Sequence, residues 1–502
     1  MVWEDSLKED PQYHTRDFTW TNLAGLNRLT EQVSKEVLIC HVIRPNSLTE
    51  EDLLSPKCIP QFKVKISIRT WPNKPLELQT MINIALDFSK GGEYLSLQPT
   101  KSVVIPVKTC RKFYEIEDGF WKLNGKNNAS HIGIQKSDIN SAESTVNENI
   151  KKARSAMYSL MGTGLHGENG LDSKTSISLI RTYILPILTY GLEILLPKGK
   201  ILNNISIQYK KWIKQILSLN SNVADSAVYT LSGLLPIEAE IHVKAINLFG
   251  NISRANCDSI EWRLAERQLQ IKPHNSCSWF IEVKELCLKY EINDLYAYLN
   301  NPLSKFQWKK LVKSKIHDYW TSKIIDESKG YSTLKFMDHK YNIGSVHPLA
   351  ISVSANLKDI RKIPVRLKIS TRNYILQTHK ASFSKNNYIS PTCKLCSKAH
   401  ETVEHFILLC EKLEEARIPP LSKILDNGSL ILAKVATSFP IDLIQLIINP
   451  FCYVDINANR TVFEETSNIL EPMCRQLLYN LHNKRYALLA NIDKQGSRKS
   501  NF

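Results

Sequence analysis

Cys393, Cys396, His405 and Cys410 form the constellation in this sequence best suited to chemistry. Thiolate and imidazole are the donors Zn²⁺ prefers. A Cys-x2-Cys corner with a second pair downstream is the spacing of a closed tetrahedral site. The two-residue gap lets backbone amides point at the sulfurs. A structural Zn²⁺ would fold a segment that has little core of its own. One point of geometry resists this. Residues 401–417 read as a single helix, and positions five apart on a helix lie about 140° apart. His405 and Cys410 then share a metal only if that turn distorts, or if His405 sits near the helix start. His400 is a rival ligand, and the same residues also read as buried thiols beside a surface histidine. The other cysteines show no ligand spacing and read as core or surface thiols.

The metal motif follows directly on a positive run. From Ile360 to His400 there are nine Lys or Arg and no Asp or Glu. Arg361, Lys362, Arg366, Lys368, Arg372, Lys380, Lys385 and Lys394 are candidate phosphate contacts, and Tyr374 and Tyr388 offer faces for unpaired bases. Lys309, Lys310 and Lys313, around Trp308, form a second candidate surface, and 209–214 a third. Such contacts give affinity with little sequence choice. A charge run is also the ordinary composition of a solvated face.

The whole chain supports a polyanionic partner. Its 502 residues carry 65 Lys+Arg against 49 Asp+Glu, a formal charge of +16. That excess favours nucleic acid or an anionic surface. Hydrophobic residues make up 43%, enough for sizeable cores, so wholesale disorder is excluded. The length suits roughly two to four domains. Eleven cysteines lie scattered, unlike a dense disulfide framework. The amino terminus has no signal-peptide pattern. The most apolar stretches are interrupted by charges and prolines, so no membrane span is expected. The expected setting is intracellular and reducing, in the nucleus and/or cytoplasm.

The elements that must position these residues are mostly helical. Residues 62–68 alternate as a strand. Residues 78–90 read as a helix ended by Gly91-Gly92, followed by strands at 103–107, 112–116, 120–123 and 131–134. Glu117-Asp118-Gly119 is the turn expected between two of them. Val146, Ile150, Ala153, Met157 and Leu160 mark one helix face, stopped by Gly162 and Gly164. Asp172 caps the next helix, and Pro186 must end or kink it.

Several blocks together resemble the reverse transcriptases of non-LTR retrotransposons. The tail Thr392-Cys393-Lys394-Leu395-Cys396 through Glu404-His405 to Cys410, with Arg417 after it, is similar to their carboxy-terminal cysteine-rich segment. Lys368–Gln377 resembles the stretch that precedes it. Upstream, 78–102, His131–Ile134, 151–158 and 185–193 resemble, in order, the palm end and thumb helices. The resemblance spans about 76–418.

That resemblance implies an α+β fold, mostly α-helical, with a small β-hairpin palm remnant, a helical thumb and connector, and a small zinc knuckle. The corresponding divisions are 1–75, unassigned; 76–136, palm end; 137–250, thumb-like; 251–385, basic connector; 386–418, CCHC knuckle; and 419–502, a C-terminal helical region. The chain has no Asp-Asp dipeptide, so the carboxylates that hold two Mg²⁺ ions in polymerases are missing. Mg²⁺ is not expected and no catalytic residue is assigned. The expectation is a polymerase remnant without synthetic activity, binding RNA and/or DNA through basic surfaces and a structural Zn²⁺ site. The alternative is a zinc-stabilised interaction scaffold, with a protein partner docking on 1–75.

Overall fold

The computed structural model describes residues 38–41, 65–68, 116–118, 121–123, 128–137, 139–165, 170–352, 356–384, 389–435, 440–455 and 457–499. The chain divides into two compact units, 1–141 and 142–502. The fold is α+β and mostly helical, as expected.

In the first unit the described residues form three antiparallel pairs. β1 (Leu38–His41) pairs with β2 (Lys65–Ile68), Leu38 opposite Ile68. β2 lies within the alternating stretch 62–68. β3 (Ile116–Asp118) and β4 (Trp121–Leu123) pair with Asp118 opposite Trp121. Glu117 and Asp118, expected in the turn, are therefore paired strand residues. β5 (Asn128–His131) and β6 (Ile134–Ser137) form a third hairpin. Here the expected strand at 131–134 is corrected, because its centre is the turn. Ile132 and Gly133 take φ of 50° and 76°, the pair of positive φ values that matches strand twist in a two-residue hairpin. The expected helix at 78–90 and strand at 103–107 lie outside the described residues.

The second unit is built from helices. α1 (Ser141–Met161) buries Val146, Ile150, Ala153 and Met157, the face read from the sequence. It stops at Gly162, with Gly164 at φ 108°. Asp172 accepts from the Thr175 amide at 3.1 Å and caps Ser173–Leu179. Pro186 neither ends nor breaks the run. A π-helical turn over Ile180–Ile184 precedes it and leads into Leu185–Leu188. α2 (Gly199–Ile216), α3 (Asp225–Ser232), α4 (Ile237–Ser253), α5 (Trp279–Lys289) and α6 (Lys305–Lys329) follow. They share a first core that includes Met157, Ile213, Phe249, Trp308 and Ile316.

A second core gathers Ile369, Cys393, Phe406, Cys410, Ile424, Ile447, Leu470 and Leu477. It joins α7 (Ile363–Ser370), α8 (Glu414–Leu432) and α9 (Glu471–Lys499). The cysteine-rich segment thus shares its core with the C-terminal helices and does not fold as a separate small module.

Three buried arginines pin this core, each paired with a buried carboxylate. Arg366 on α7 meets Glu471 on α9 at 2.6 Å, and Arg475 reaches the other Glu471 oxygen at 3.4 Å. Arg485 grips both oxygens of Glu401, at 2.8 and 2.9 Å. Buried charges are tolerated only when matched in this way, and removing one partner strands the other. The Glu401 pair ties the cysteine-rich segment to α9.

Candidate metal centre

Cys393 and Cys396 sit on a tight turn made by the chain's own amides. The Cys393 amide donates to Ala399 O at 2.8 Å and the Ser397 amide to Cys393 O at 2.9 Å. Ser397 takes φ 57°, which lets the turn close. The Leu395 and Cys396 amides face the Cys393 sulfur, and those of Lys398 and Ala399 face the Cys396 sulfur.

His405 and Cys410 meet these sulfurs because 401–417 is not one helix, and that expectation is corrected. His405–Leu409 forms a π turn, and Cys410 leaves it extended at φ −66°, ψ 115°. The Cys410 amide donates to His405 O at 2.8 Å. An i→i+5 turn is wider than an α turn, so residues five apart return to nearly the same side. A short 3₁₀ turn, Glu411–Leu413, then leads into α8. Arg417 holds the break open. Its Nε donates to Ile407 O at 2.8 Å and its Nη2 to Cys410 O at 2.6 Å. Those are carbonyls that an uninterrupted helix would have satisfied.

The four donor atoms lie within 4.8 Å of one another. Cys393 Sγ is 3.9 Å from Cys410 Sγ, and Cys396 Sγ is 3.4 Å from His405 Nε2. Bond lengths of about 2.3 Å to sulfur and 2.0–2.1 Å to nitrogen put tetrahedral neighbours about 3.8 Å apart for two sulfurs and about 3.5 Å for sulfur and nitrogen. The cluster can therefore hold a metal ion. His400 is not part of it. That residue pairs through its backbone with Thr392 and its side chain is exposed.

The electrostatics of these four side chains by themselves are unfavourable to a triple thiolate. Burial, and then the neighbouring Cys393, push the Cys410 thiol up to about 12. Burial also raises Cys393, against the pull of its two amides. Burial opposes ionisation of Cys396 as well, but the Lys398 amide, the other thiols and the Ala399 amide outweigh it and lower its pKa. Burial keeps His405 neutral by lowering its pKa, the form that ligates. A divalent cation would reverse the balance at the sulfurs, since ligating thiols lose their protons.

The basic residues are scattered by comparison. Arg366 is fully buried on Glu471, with Nε donating to Ile448 O at 3.0 Å. It cannot meet a phosphate, and that expectation is corrected. Tyr374 is also buried, stacked on Phe406 with centroids 5.2 Å apart and its hydroxyl 2.9 Å from His482 Nδ1. Its ring face is therefore unavailable to a base. Lys362 pairs with Asp359 at 2.7 Å, and Arg372 donates to Ser332 O at 3.2 Å. Arg361, Lys380 and Lys394 are exposed and Lys368 is half-buried. Lys309, Lys310 and Lys313 are exposed on α6 while Trp308 is buried, donating to Ile246 O at 3.1 Å. In the third run Tyr209, Trp212 and Ile213 are core residues, and Lys210 and Lys214 pair with Asp225. Lys385 and Tyr388 lie outside the described residues. Sequence reasoning missed Glu401 and Arg485, which pair across 84 residues, and Arg475, which joins the buried Glu471 on its own helix. It also missed Tyr479, His482 and Tyr486, whose i, i+3, i+7 spacing was a readable signal.

Among the described residues no helix is long and apolar enough to cross a membrane. No family model matches the chain, and no solved structure does. Curated proteins do match, over one short stretch in the N-terminal region. The chain is similar there to a subunit of the tRNA-splicing endonuclease. It is 44% identical over 55 residues to the subunit Sen2 of Gallus gallus, covering 11% of this chain and 12% of that protein. It is 40% identical over 50 residues to Sen2 of Mus musculus and of Rattus norvegicus, 10% of this chain and 11% of each relative.

These relatives overturn the reverse transcriptase resemblance. The similarity lies with the splicing-endonuclease subunit, in the N-terminal region of this chain. The polymerase-remnant function falls with it, and the interaction-scaffold alternative, with a partner docked on 1–75, is unsupported. Among the described residues, part of the pattern behind the resemblance has a local physical explanation. Leu367, Ile369 and Leu376 are core residues, and Arg417 caps the π turn.

Proposed function

We propose that this chain acts on RNA, with precursor tRNA as its substrate class, and that its helical unit is held by one structural Zn²⁺. The observation that carries the RNA reading is the 40–44% identity, over 50–55 residues, to tRNA-splicing endonuclease subunits. The formal charge of +16 supports it, because phosphate contacts supply most of the affinity for RNA. Cys393, Cys396, His405 and Cys410 would hold the zinc. Three soft thiolates and one imidazole suit Zn²⁺ or Cu(I) over hard cations. Four protein ligands fill the tetrahedron, which makes the ion a folding element and leaves no open position for catalysis.

The test is binding of an intron-containing precursor tRNA by the full chain at several salt concentrations, with mature tRNA and duplex DNA as comparisons. We expect the precursor to bind in preference to DNA, with log affinity falling steeply against log salt. Equal binding to all three, or none, would overturn the reading.

A further inference from the structure

A cavity of about 490 Å³ opens beside the second core. Its wall combines two cations, Arg361 just before α7 and Lys368 on α7, with the aromatic rings of Tyr374, Tyr479, His482 and Tyr486. No acidic side chain lines it. Tyr479, His482 and Tyr486 recur at i, i+3 and i+7 on α9, so they stand in one row. His482 is 6.2 Å from the Tyr479 ring in a stacked arrangement and 4.7 Å from the Tyr486 ring. Tyr374 closes the floor through its 2.9 Å bond to His482 Nδ1. Tyr486 is 48% exposed, a large ring left open to solvent on a wall otherwise fixed by packing. The Arg485 guanidinium lies 5.5 Å from its centroid, while that same group is locked onto Glu401. Among the described residues Lys368 has no carboxylate partner.

We propose that this cavity binds one unpaired nucleotide of a single-stranded RNA, the base stacked on Tyr486 and the phosphate held by Lys368 and Arg361. The volume is within the usual range for a small-ligand site, about 300–1,000 Å³. A stacking face beside a cation is the arrangement that takes single-stranded RNA with little sequence choice. The two basic groups, with no acidic side chain to offset them, repel a cationic ligand. Duplex RNA fits less well, because its bases are already paired and stacked on one another and are not free to stack on Tyr486. The inference rests on the RNA reading above and gives it a place in the second unit.

The test uses the full chain with two probes, octaadenylate RNA and an intron-containing precursor tRNA, on wild type, Tyr486→Ala and Lys368→Gln. Stacking of one base justifies an expected loss of about tenfold in octaadenylate affinity for Tyr486→Ala. Lys368→Gln should lose less and flatten the salt dependence by about one phosphate. Both substitutions are at solvent-facing positions, and Tyr486→Phe should bind as wild type. Ultraviolet cross-linking should label the peptide containing residues 479–486. Wild-type RNA binding that neither substitution weakens, with labels elsewhere, would overturn the cavity and leave the RNA function standing. Octaadenylate binding lost in the variants, without preference for precursor tRNA, would support the cavity and overturn the tRNA reading. Failure of wild type to bind either probe would overturn both.

Discussion

The backbone amide of Cys410 donates to the carbonyl oxygen of His405 at 2.8 Å, and this i→i+5 bond is what places a sulfur and an imidazole on the same side of the chain. An α-helical turn would have turned Cys410 away from Cys393. The wider turn instead leaves the two sulfurs 3.9 Å apart. The break in the helix and the metal cluster are therefore one feature.

That geometry predicts which residues carry the metal. Purified wild type should contain one zinc per chain by elemental analysis. Cys396→Ser should contain none and lose more than about 4 kcal/mol of stability, the range reached when a structural metal is lost. His400→Ala should keep its zinc, because the His400 side chain is exposed and outside the cluster. Zinc lost from His400→Ala but retained by Cys396→Ser would sink the assignment.

Arg417 should tune the same site without touching the metal. Its guanidinium satisfies the carbonyls of Ile407 and Cys410, and so fixes the exit of the π turn. Arg417→Gln should weaken zinc about 10–100-fold, the usual cost of losing a group that orients a ligand. Chelator competition measures this. Arg417→Lys should fail to rescue, since one ammonium cannot match the planar fork. Unchanged zinc affinity in both variants would separate the cap from the site.

The ligands were legible in the sequence because their spacing is local and their chemistry narrow. The hairpin at 128–137 was half legible. The residues for a strand were recognised, but Ile132 at φ 50° is a position that an isoleucine side chain disguises. The buried charges were not legible. Arg366 reads as one more cation in a basic run, and only its Glu471 partner, 105 residues away, reveals it as core. Tyr374 was misread for the same reason, since its partners Phe406 and His482 come from other elements. The reverse transcriptase resemblance rested on short blocks, in which core packing accounts for Leu367, Ile369 and Leu376 and capping of the π turn for Arg417.

Gly250 reverses the usual sign of a glycine-to-alanine change in a helix. Alanine is ordinarily favoured there by about 1 kcal/mol. A Cβ at Gly250 would lie 2.1 Å from Trp308 Nε1. That ring is buried and its Nε1 is tied to Ile246 O at 3.1 Å, so it has no room to retreat. Gly250→Ala should lose about 1–3 kcal/mol, the cost of overpacking a core. Adding Trp308→Leu should recover part of that loss relative to Trp308→Leu alone. Urea denaturation of the four proteins gives the cycle, and a stabilised Gly250→Ala would refute the packing of α4 on α6.

His242 predicts a pH dependence whose sign is fixed by burial. Its pKa is lowered to about 4, chiefly because burial disfavours the cation. Lys289 and Lys198 add to the effect, and Glu238 opposes it. Nδ1 lies 2.7 Å from the Tyr290 hydroxyl, which also accepts from Trp320 Nε1 at 3.2 Å. The neutral ring can therefore accept the hydroxyl proton. In the unfolded chain the imidazole titrates near about 6.5, so between pH 6.5 and 4 the unfolded state binds the extra proton. Stability is then full above about pH 6.5, falls as pH drops through that window, and levels off below about pH 4. The contribution lost at pH 5 is about 2 kcal/mol. His242→Gln should be less stable than wild type at pH 7.5 and should lose less on moving to pH 5. Denaturant midpoints at the two pH values decide it, and because both proteins carry the same metal ligands, ligand protonation cancels in the comparison. Equal losses for the two proteins would show that His242 does not titrate as its burial requires.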